Sequence, residues 1–200
     1  PADKIGASKK LEWLQLNSAG ADAYAGEGIL DKNTVVTTSN GAYGKTVSEH
    51  MFAMLLAMQK KLHLYRDSQN KHIWDEHGTV TSIADSTVLI FGMGDIGRHF
   101  AKMAHALGAY VIGVKKNPGN CPEYIDEPHL MKDCRELLPH ADVVVSFLPS
   151  TSETRGLFNK EMFHLMKPGA FFLNGGRGDA VCTEELCEVL DEGRLAGVAL

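Results

Sequence analysis

The chain has 200 residues with a net charge of −5, 44% hydrophobic and 22% charged residues, which fits one large globular domain or one domain with part of another. Acidic and basic residues are mixed along the whole length, so there is no basic footprint for nucleic acid or a membrane surface, and no apolar run reaches the roughly 20 residues that span a bilayer. Cys121, Cys134, Cys182 and Cys187 show neither CxxC spacing nor a clustered histidine partner. They read as reduced, structural thiols of a cytoplasmic protein with no metal site.

Residues 11–16 are apolar enough for a half-buried strand and run into the loop composition of 17–22. Residues 35–38 read as a second short strand, closed by Asn40-Gly41. From 46 to about 64, Val47, Met51, Met54, Leu55, Met58 and Leu62 recur at helical spacing, which predicts one long helix. Its Met-rich face suits a core or a homodimer contact, because methionine adapts to irregular partners. Between Arg66 and Ser86 lies a polar arm containing His72 and His77, with Trp74 as its expected buried anchor. Pro1 leads quickly into an apolar strand and Gly197-Val-Ala-Leu200 stops without a cap, so the chain is expected to be a piece of a longer polypeptide.

Beyond 86 the pattern becomes regular. Strand-like runs at 87–91, 110–114, 142–147, 170–174 and 197–200 alternate with helix-like runs at 96–107, about 130–138, 159–166 and 183–192. Near-continuous apolar strands separated by helices predict a doubly wound parallel sheet of the Rossmann type, covered on both faces. Ile96, Phe100, Met103, Ala104 and Leu107 form one stripe that Gly108 ends. Leu186, Val189 and Leu190 mark the inner face of the last helix, with Thr183 as its cap and Glu184 and Glu185 facing the dipole.

Ligands of such a sheet sit beyond the carboxyl ends of the strands. The run from Thr87 breaks into Gly92-Met93-Gly94-Asp95-Ile96-Gly97, a strand, tight turn and helix N-terminus whose unpaired amides and dipole suit a dinucleotide pyrophosphate. Gly92 serves the turn, Gly94 close approach of phosphate, and Gly97 close packing of helix on strand. The next strand ends in Lys115-Lys116, 23 positions after Gly92, where a carboxylate would normally grip the adenosine ribose. Two lysines attract a 2′-phosphate instead, which favours NADP over NAD; the alternative is a pair of solvated surface lysines. The third strand ends in Leu148-Pro149, followed by a hydroxyl-rich turn to Thr154 that either donates to ribose or phosphate or simply enters the next helix. The fourth ends in Asn174-Gly175-Gly176-Arg177-Gly178, where an arginine among glycines can approach a small carboxylate and carbonyl, with Gly175 at the cofactor.

These motifs, in this order and spacing, resemble the D-isomer-specific 2-hydroxyacid dehydrogenase family over nearly the whole chain. The likeness continues upstream: Gln15-x-x-Ser18-Ala19-Gly20-x-Asp22 is similar to the family loop whose backbone amides hold the substrate carboxylate. Val47-Ser48-Glu49-His50 is similar to the start of the long helix that opens the cofactor domain. The resemblance implies that residues 1–42 are the end of a first segment of a substrate domain and 43–200 a dinucleotide-binding domain truncated at its C-terminus. It also implies hydride transfer between NAD(P)H and a 2-oxo or 2-hydroxy acid, with Ala19, Gly20 and Arg177 at the substrate and Arg177 polarising the carbonyl.

The family's supporting Glu and its general acid/base His fall beyond the equivalent of Leu200. None of the nine histidines replaces them: His50, His63, His99, His105 and His164 lie on expected helices, His140 precedes a strand at the wrong edge, and Glu49 and His50 point about 100° apart on a helix. Cys182 stands where the family commonly has Asp and reads as a packing variation. A dinucleotide-sensing binding protein, resembling the corepressor relatives of this family, is the alternative from another class; formate or phosphite oxidation is a third. Tyr43 is expected at the cleft.

Overall fold

The computed structural model describes residues 5, 8, 10–24, 26, 28–117 and 119–200; the opening at Pro1 lies outside them. Two sheets are present. Strands β1 (Trp13–Gln15) and β2 (Val35–Thr37) form a parallel pair. Strands β3 (Thr87–Phe91), β4 (Tyr110–Lys115), β5 (Glu127–Leu130), β6 (Val143–Ser146), β7 (Ala170–Asn174) and β8 (Leu195–Ala199) form a six-stranded sheet in the order β5-β4-β3-β6-β7-β8. Neighbouring strands are parallel throughout. The chain therefore leaves β3 in one direction, returns, and continues from β6 in the other. That reversal opens a crevice where β3 and β6 end.

Alternation along each strand builds two cores. On one face Leu89, Phe91, Val114, Val144 and Phe172 pack with α4 (Cys134–Leu137), α5 (Lys160–Leu165) and α6 (Thr183–Asp191). On the other, Val88, Ile90, Val111, Val145 and Leu173 pack with α1 (Gly44–Gln59) and α3 (Asp95–Ala106). A strand buried on both faces has no solvent side, so its sequence is apolar without a break. Phe158 sits at the centre of the first core, 4.9 Å from Phe172 and 5.2 Å from Phe91 between ring centroids. Phe52 and Phe100, 5.1 Å apart, tie α1 to α3 in the second.

Several expectations are corrected. The helix expected over 46–64 is two helices: α1 stops at Gln59, Lys61 takes a left-handed φ of 54°, and α2 (Leu62–Asn70) restarts beyond it. Tertiary bonds settle the break. The Lys60 ammonium donates to the Thr81 carbonyl at 2.7 Å, the Thr81 amide donates to the Gln59 carbonyl, and Lys61 reaches the His77 carbonyl. Lysine is an ordinary helix former, so no local signal announces this. The Met face is occupied within the chain: Met51 is buried, and Met54 and Met58 pack against the second core. Trp74 is not a buried anchor, being 101% exposed.

The run expected as a helix over about 130–138 is helical from Met131, and edge strand β5, which no expectation covered, precedes it and tolerates Pro128 because only β4 pairs with it. Short 3-10 turns then flank α4. At the C-cap of α3, Leu107 is half exposed; in α6, Leu190 faces outward and Cys182, not Thr183, occupies the cap position without a side-chain cap. No helix among the described residues is long and apolar enough to cross a membrane.

Phe158→Ala removes a fully buried ring from the first core. It is expected to cost about 3–5 kcal/mol, read as a lower midpoint in urea unfolding.

Candidate functional site

The turn after β3 is shaped by two contacts that exclude side chains. Gly92 has φ +93°, and a Cβ on it would lie 2.9 Å from the Phe147 carbonyl oxygen. A Cβ on Gly97 would lie 2.1 Å from the carbonyl oxygen of Gly92. Only a residue without a side chain lets α3 descend so far onto the strand end. Gly94 differs, since a Cβ there would meet nothing within 4 Å. The protein leaves that space open, in front of the first-turn amides of α3, which no N-cap side chain occupies. This open, uncapped helix N-terminus fits a diphosphate.

Two cavities meet at this turn. The larger, of about 710 Å³, is lined by Gly92, Met93 and Gly94 on one side, Lys115 and Lys116 at the end of β4, and Leu148, Pro149 and Thr154 beyond β6. It therefore gathers the ends of three strands at the crevice. Four cationic side chains, Arg98, Lys115, Lys116 and Lys132, stand in its lining against one carboxylate, Glu153. Lys115 is oriented by the Gly119 carbonyl and by Cys121 Sγ at 3.3 Å. Lys116 pairs with Glu153 at 3.0 Å, both side chains being well exposed.

The smaller cavity, of about 110 Å³, joins Ala19 and Tyr43 to Gly94, Asp95, Ile96, Gly97 and Phe147. Loops that follow strands of the two sheets thus converge on the glycine turn. Tyr43 donates its hydroxyl to the Asn17 carbonyl. Asp95 lies against Gly44, where a Cβ would come within 2.3 Å of its carboxylate.

The hydroxyl-rich turn after β6 is largely self-satisfied. Thr154 is buried, donates to the Pro149 carbonyl at 2.6 Å and accepts from the Thr151 amide at 2.9 Å. Ser150 donates to Asp179 at 2.5 Å. These bonds set the shape of the Leu148-Pro149 turn.

After β7 the glycines have a packing reason. A Cβ on Gly176 would lie 2.5 Å from the Leu148 carbonyl oxygen, and one on Gly175 2.8 Å from the Phe147 ring. Gly175 lines neither of these cavities; it lets the loop cross the β6 end. Asn174 closes the loop, donating to the Arg177 carbonyl at 3.0 Å and accepting from the Gly176 amide at 3.3 Å. Arg177 thereby stands beyond the carboxyl end of β7, outside the lining of both cavities, and its Nε donates to Asp22 at 3.0 Å. Sequence reasoning missed Asp22 as its partner. Phe147, the residue after Ser146, and Arg98, one helical turn beyond Gly94, were also missed, although their places at a strand end and in a first helical turn mark them. Burial pushes the Cys134 and Cys182 thiols up from their ordinary pKa, which makes them poor nucleophiles. Among the described residues no group of three or more His, Cys, Asp or Glu side chains could hold a metal ion.

A doubly wound sheet with a glycine turn at its reversal and a cation-lined cavity beside it defines a dinucleotide-binding α/β protein. The chain belongs to the D-isomer specific 2-hydroxyacid dehydrogenase family: the family model for its NAD binding domain matches residues 52–200. It is 29% identical over 207 residues to a D-3-phosphoglycerate dehydrogenase of Mycobacterium bovis, a match over 100% of this chain and 38% of that protein. A crystal structure of a D-isomer specific 2-hydroxyacid dehydrogenase family protein from Aeromonas salmonicida superposes with a TM-score of 0.86 at 34% identity, over 95% of this chain and 61% of that one. An NADPH-dependent glyoxylate/hydroxypyruvate reductase from Sinorhizobium meliloti, in complex with NADP and sulfate, gives 0.84 at 26% identity over 100% and 64%. The chain spans 38% to 64% of the length of the curated relatives it matches. The corepressor-like alternative is not favoured by these matches.

Gly97→Ala pushes a methyl group into the Gly92 carbonyl. Strain of this kind costs about 1–3 kcal/mol. A drop in melting temperature is expected, together with a loss of dinucleotide affinity of roughly 5- to 150-fold by fluorescence titration if that strain bears on the bound state, since about 1.4 kcal/mol is tenfold.

Proposed function

We propose that this chain is the cofactor-binding part of an NADP(H)-preferring D-2-hydroxyacid dehydrogenase, which interconverts a 2-oxo acid and a D-2-hydroxy acid. Residues 43–200 form its dinucleotide-binding domain and residues 1–42 contribute to a substrate domain. The observation that carries the reading is the crevice itself. The glycine turn, the cation-lined cavity and Arg177 stand at one carboxyl edge of the sheet, beside the loop bearing Ala19 and Gly20. A bound nicotinamide supplies or accepts the hydride at such an edge. The chain's own residues position it: the α3 amides face the diphosphate and Arg177 binds the substrate carboxylate or carbonyl, where negative charge develops.

The preference for NADP rests on the end of β4. Lys115 and Lys116 stand where a ribose-binding carboxylate would repel a 2′-phosphate, and Arg98 and Lys132 add to the same field. The NADPH-dependent reductase among the structural neighbours supports it.

The protein also associates as a homodimer. The expected interface over 46–64 moves outward, since the Met face is occupied. Leu62, Tyr65, Ile73 and Trp74 are all exposed, and Tyr65, Ile73 and Trp74 line a hollow of about 610 Å³. A fully exposed tryptophan beside such a hollow is what an interface anchor looks like before it is covered.

NADPH is expected to bind the full-length protein more tightly than NADH. Lys115→Asp should remove about 1.5–3 kcal/mol of charge-assisted bonding, roughly 10- to 150-fold in NADPH affinity, measured by nucleotide fluorescence. Tighter NADH binding that Lys115→Asp leaves unchanged would refute the preference. Steady-state rates with glyoxylate, hydroxypyruvate and pyruvate, beside formate and phosphite, test the reaction; no turnover of any 2-oxo acid would refute it. For association, Trp74→Glu should convert a dimer to a monomer in sedimentation velocity without lowering the melting temperature.

A further inference from the structure

The Arg177 side chain is held by a residue 155 positions away in the chain. Asp22 begins a single 3-10 turn, Asp22–Tyr24, at the end of the loop that carries Ser18, Ala19 and Gly20. That loop is braced from within and from the segment entering α1. Ser18 donates to the Gly20 carbonyl at 2.8 Å, the Ser39 amide donates to the Ser18 carbonyl at 3.0 Å, and Tyr43 donates to the Asn17 carbonyl.

The guanidinium lies between this loop and its own. Nε donates to Asp22 Oδ2 at 3.0 Å and Nη1 to the Gly176 carbonyl at 3.3 Å. Nη2 lies over Gly20, where a Cβ would come within 1.9 Å of it, and it makes no hydrogen bond to a described residue. A guanidinium has five N–H donors in one plane. Holding Nε and one edge of Nη1 fixes that plane. The missing side chain of Gly20 gives Nη2 its place.

We propose that Asp22 is a positioning residue for Arg177: it fixes the plane of the guanidinium by binding Nε, so that the free donors meet the substrate carboxylate or carbonyl in one orientation. The proposal rests on the reading of Arg177 as a substrate-binding residue. An ordinary surface ion pair is the competing account, since the two side chains are 40% and 61% exposed. Such pairs contribute little stability, so melting moves little under either account. Turnover separates them: a positioning pair lowers kcat/KM when it is broken, and an ordinary surface pair leaves it at the parent value.

The test uses the full-length protein and the 2-oxo acid it reduces fastest, with four variants: Arg177→Ala, Asp22→Ala, Asp22→Asn and the Arg177→Ala/Asp22→Ala double variant. Misplacing a substrate-positioning group by about 1 Å costs up to roughly 100-fold, so Asp22→Ala should lower kcat/KM by about 10- to 100-fold. NADPH affinity should stay at the parent value, and the melting temperature should move by less than about 2 °C. Asp22→Asn keeps an acceptor oxygen and should recover most of the loss. In the Arg177→Ala background Asp22→Ala should add no further loss, because the group it positions is gone.

A parent-like kcat/KM in Asp22→Ala, with Arg177→Ala strongly impaired, overturns the proposal and spares the function of Arg177. A full additional loss in the double variant also overturns it, because Asp22 would then act without Arg177. If Arg177→Ala itself reduces the 2-oxo acid at the parent rate, the reading of Arg177 fails first and the proposal with it.

Discussion

The contact between Gly97 and the carbonyl of Gly92 is the constraint on which the rest of the site depends. With 2.1 Å between that oxygen and the place a Cβ would occupy, α3 can begin directly above the end of β3. The helix then points its first-turn amides into the space beside β6 rather than past it. Gly94 leaves the same space open, and the reversal of strand order between β3 and β6 keeps other strands from filling it. A single missing methyl group thus links the sheet's topology to an anion-binding position. The same economy recurs at Gly176, whose close approach to Leu148 brings the Arg177 loop over the β6 turn.

Electrostatics around that position are asymmetric. Cations outnumber carboxylates in the larger cavity, yet they are held differently. Lys115 is anchored by its own loop, through Gly119 and Cys121. Lys116 shares its charge with Glu153 in an exposed pair, which in water is worth little and exchanges readily for another anion. Lys115 is therefore the preorganised group and Lys116 the one that must give up a partner. A preorganised donor loses less on binding than one that must first be freed.

The N-terminal segment and the large sheet meet through polar bonds and a small cavity rather than a shared apolar core. Tyr43 and Asp22 make the connections, and Gly20 and Gly44 are the positions where a side chain would collide with Arg177 or Asp95. Close contact without deep apolar interlock suits a cleft that must admit a substrate. It also explains why two glycines so far apart in sequence serve one groove.

Much of this was present in local patterns. The strands at 87–91 and 170–174 match β3 and β7 residue for residue, because a strand buried on both faces is uniformly apolar and is punctuated by turn residues. The glycine turn was readable because its spacing is itself the geometry: each glycine answers to a neighbour within a few residues or to the strand beside it. The break at Lys61 was hidden, since the bonds that force it come from Thr81 and His77. Trp74 was misjudged because a tryptophan carries the same hydrophobicity whether or not anything covers it. Strand β5 has no local signal, its pairing with β4 being invisible in Glu-Pro-His-Leu. The sharpest difference is at Arg177. Its neighbours in sequence offered no partner, and Asp22 became one when the fold brought the two loops together. Periodicity and turn chemistry act over a few residues and leave their mark there; a contact between residues 22 and 177 leaves none until the chain has folded.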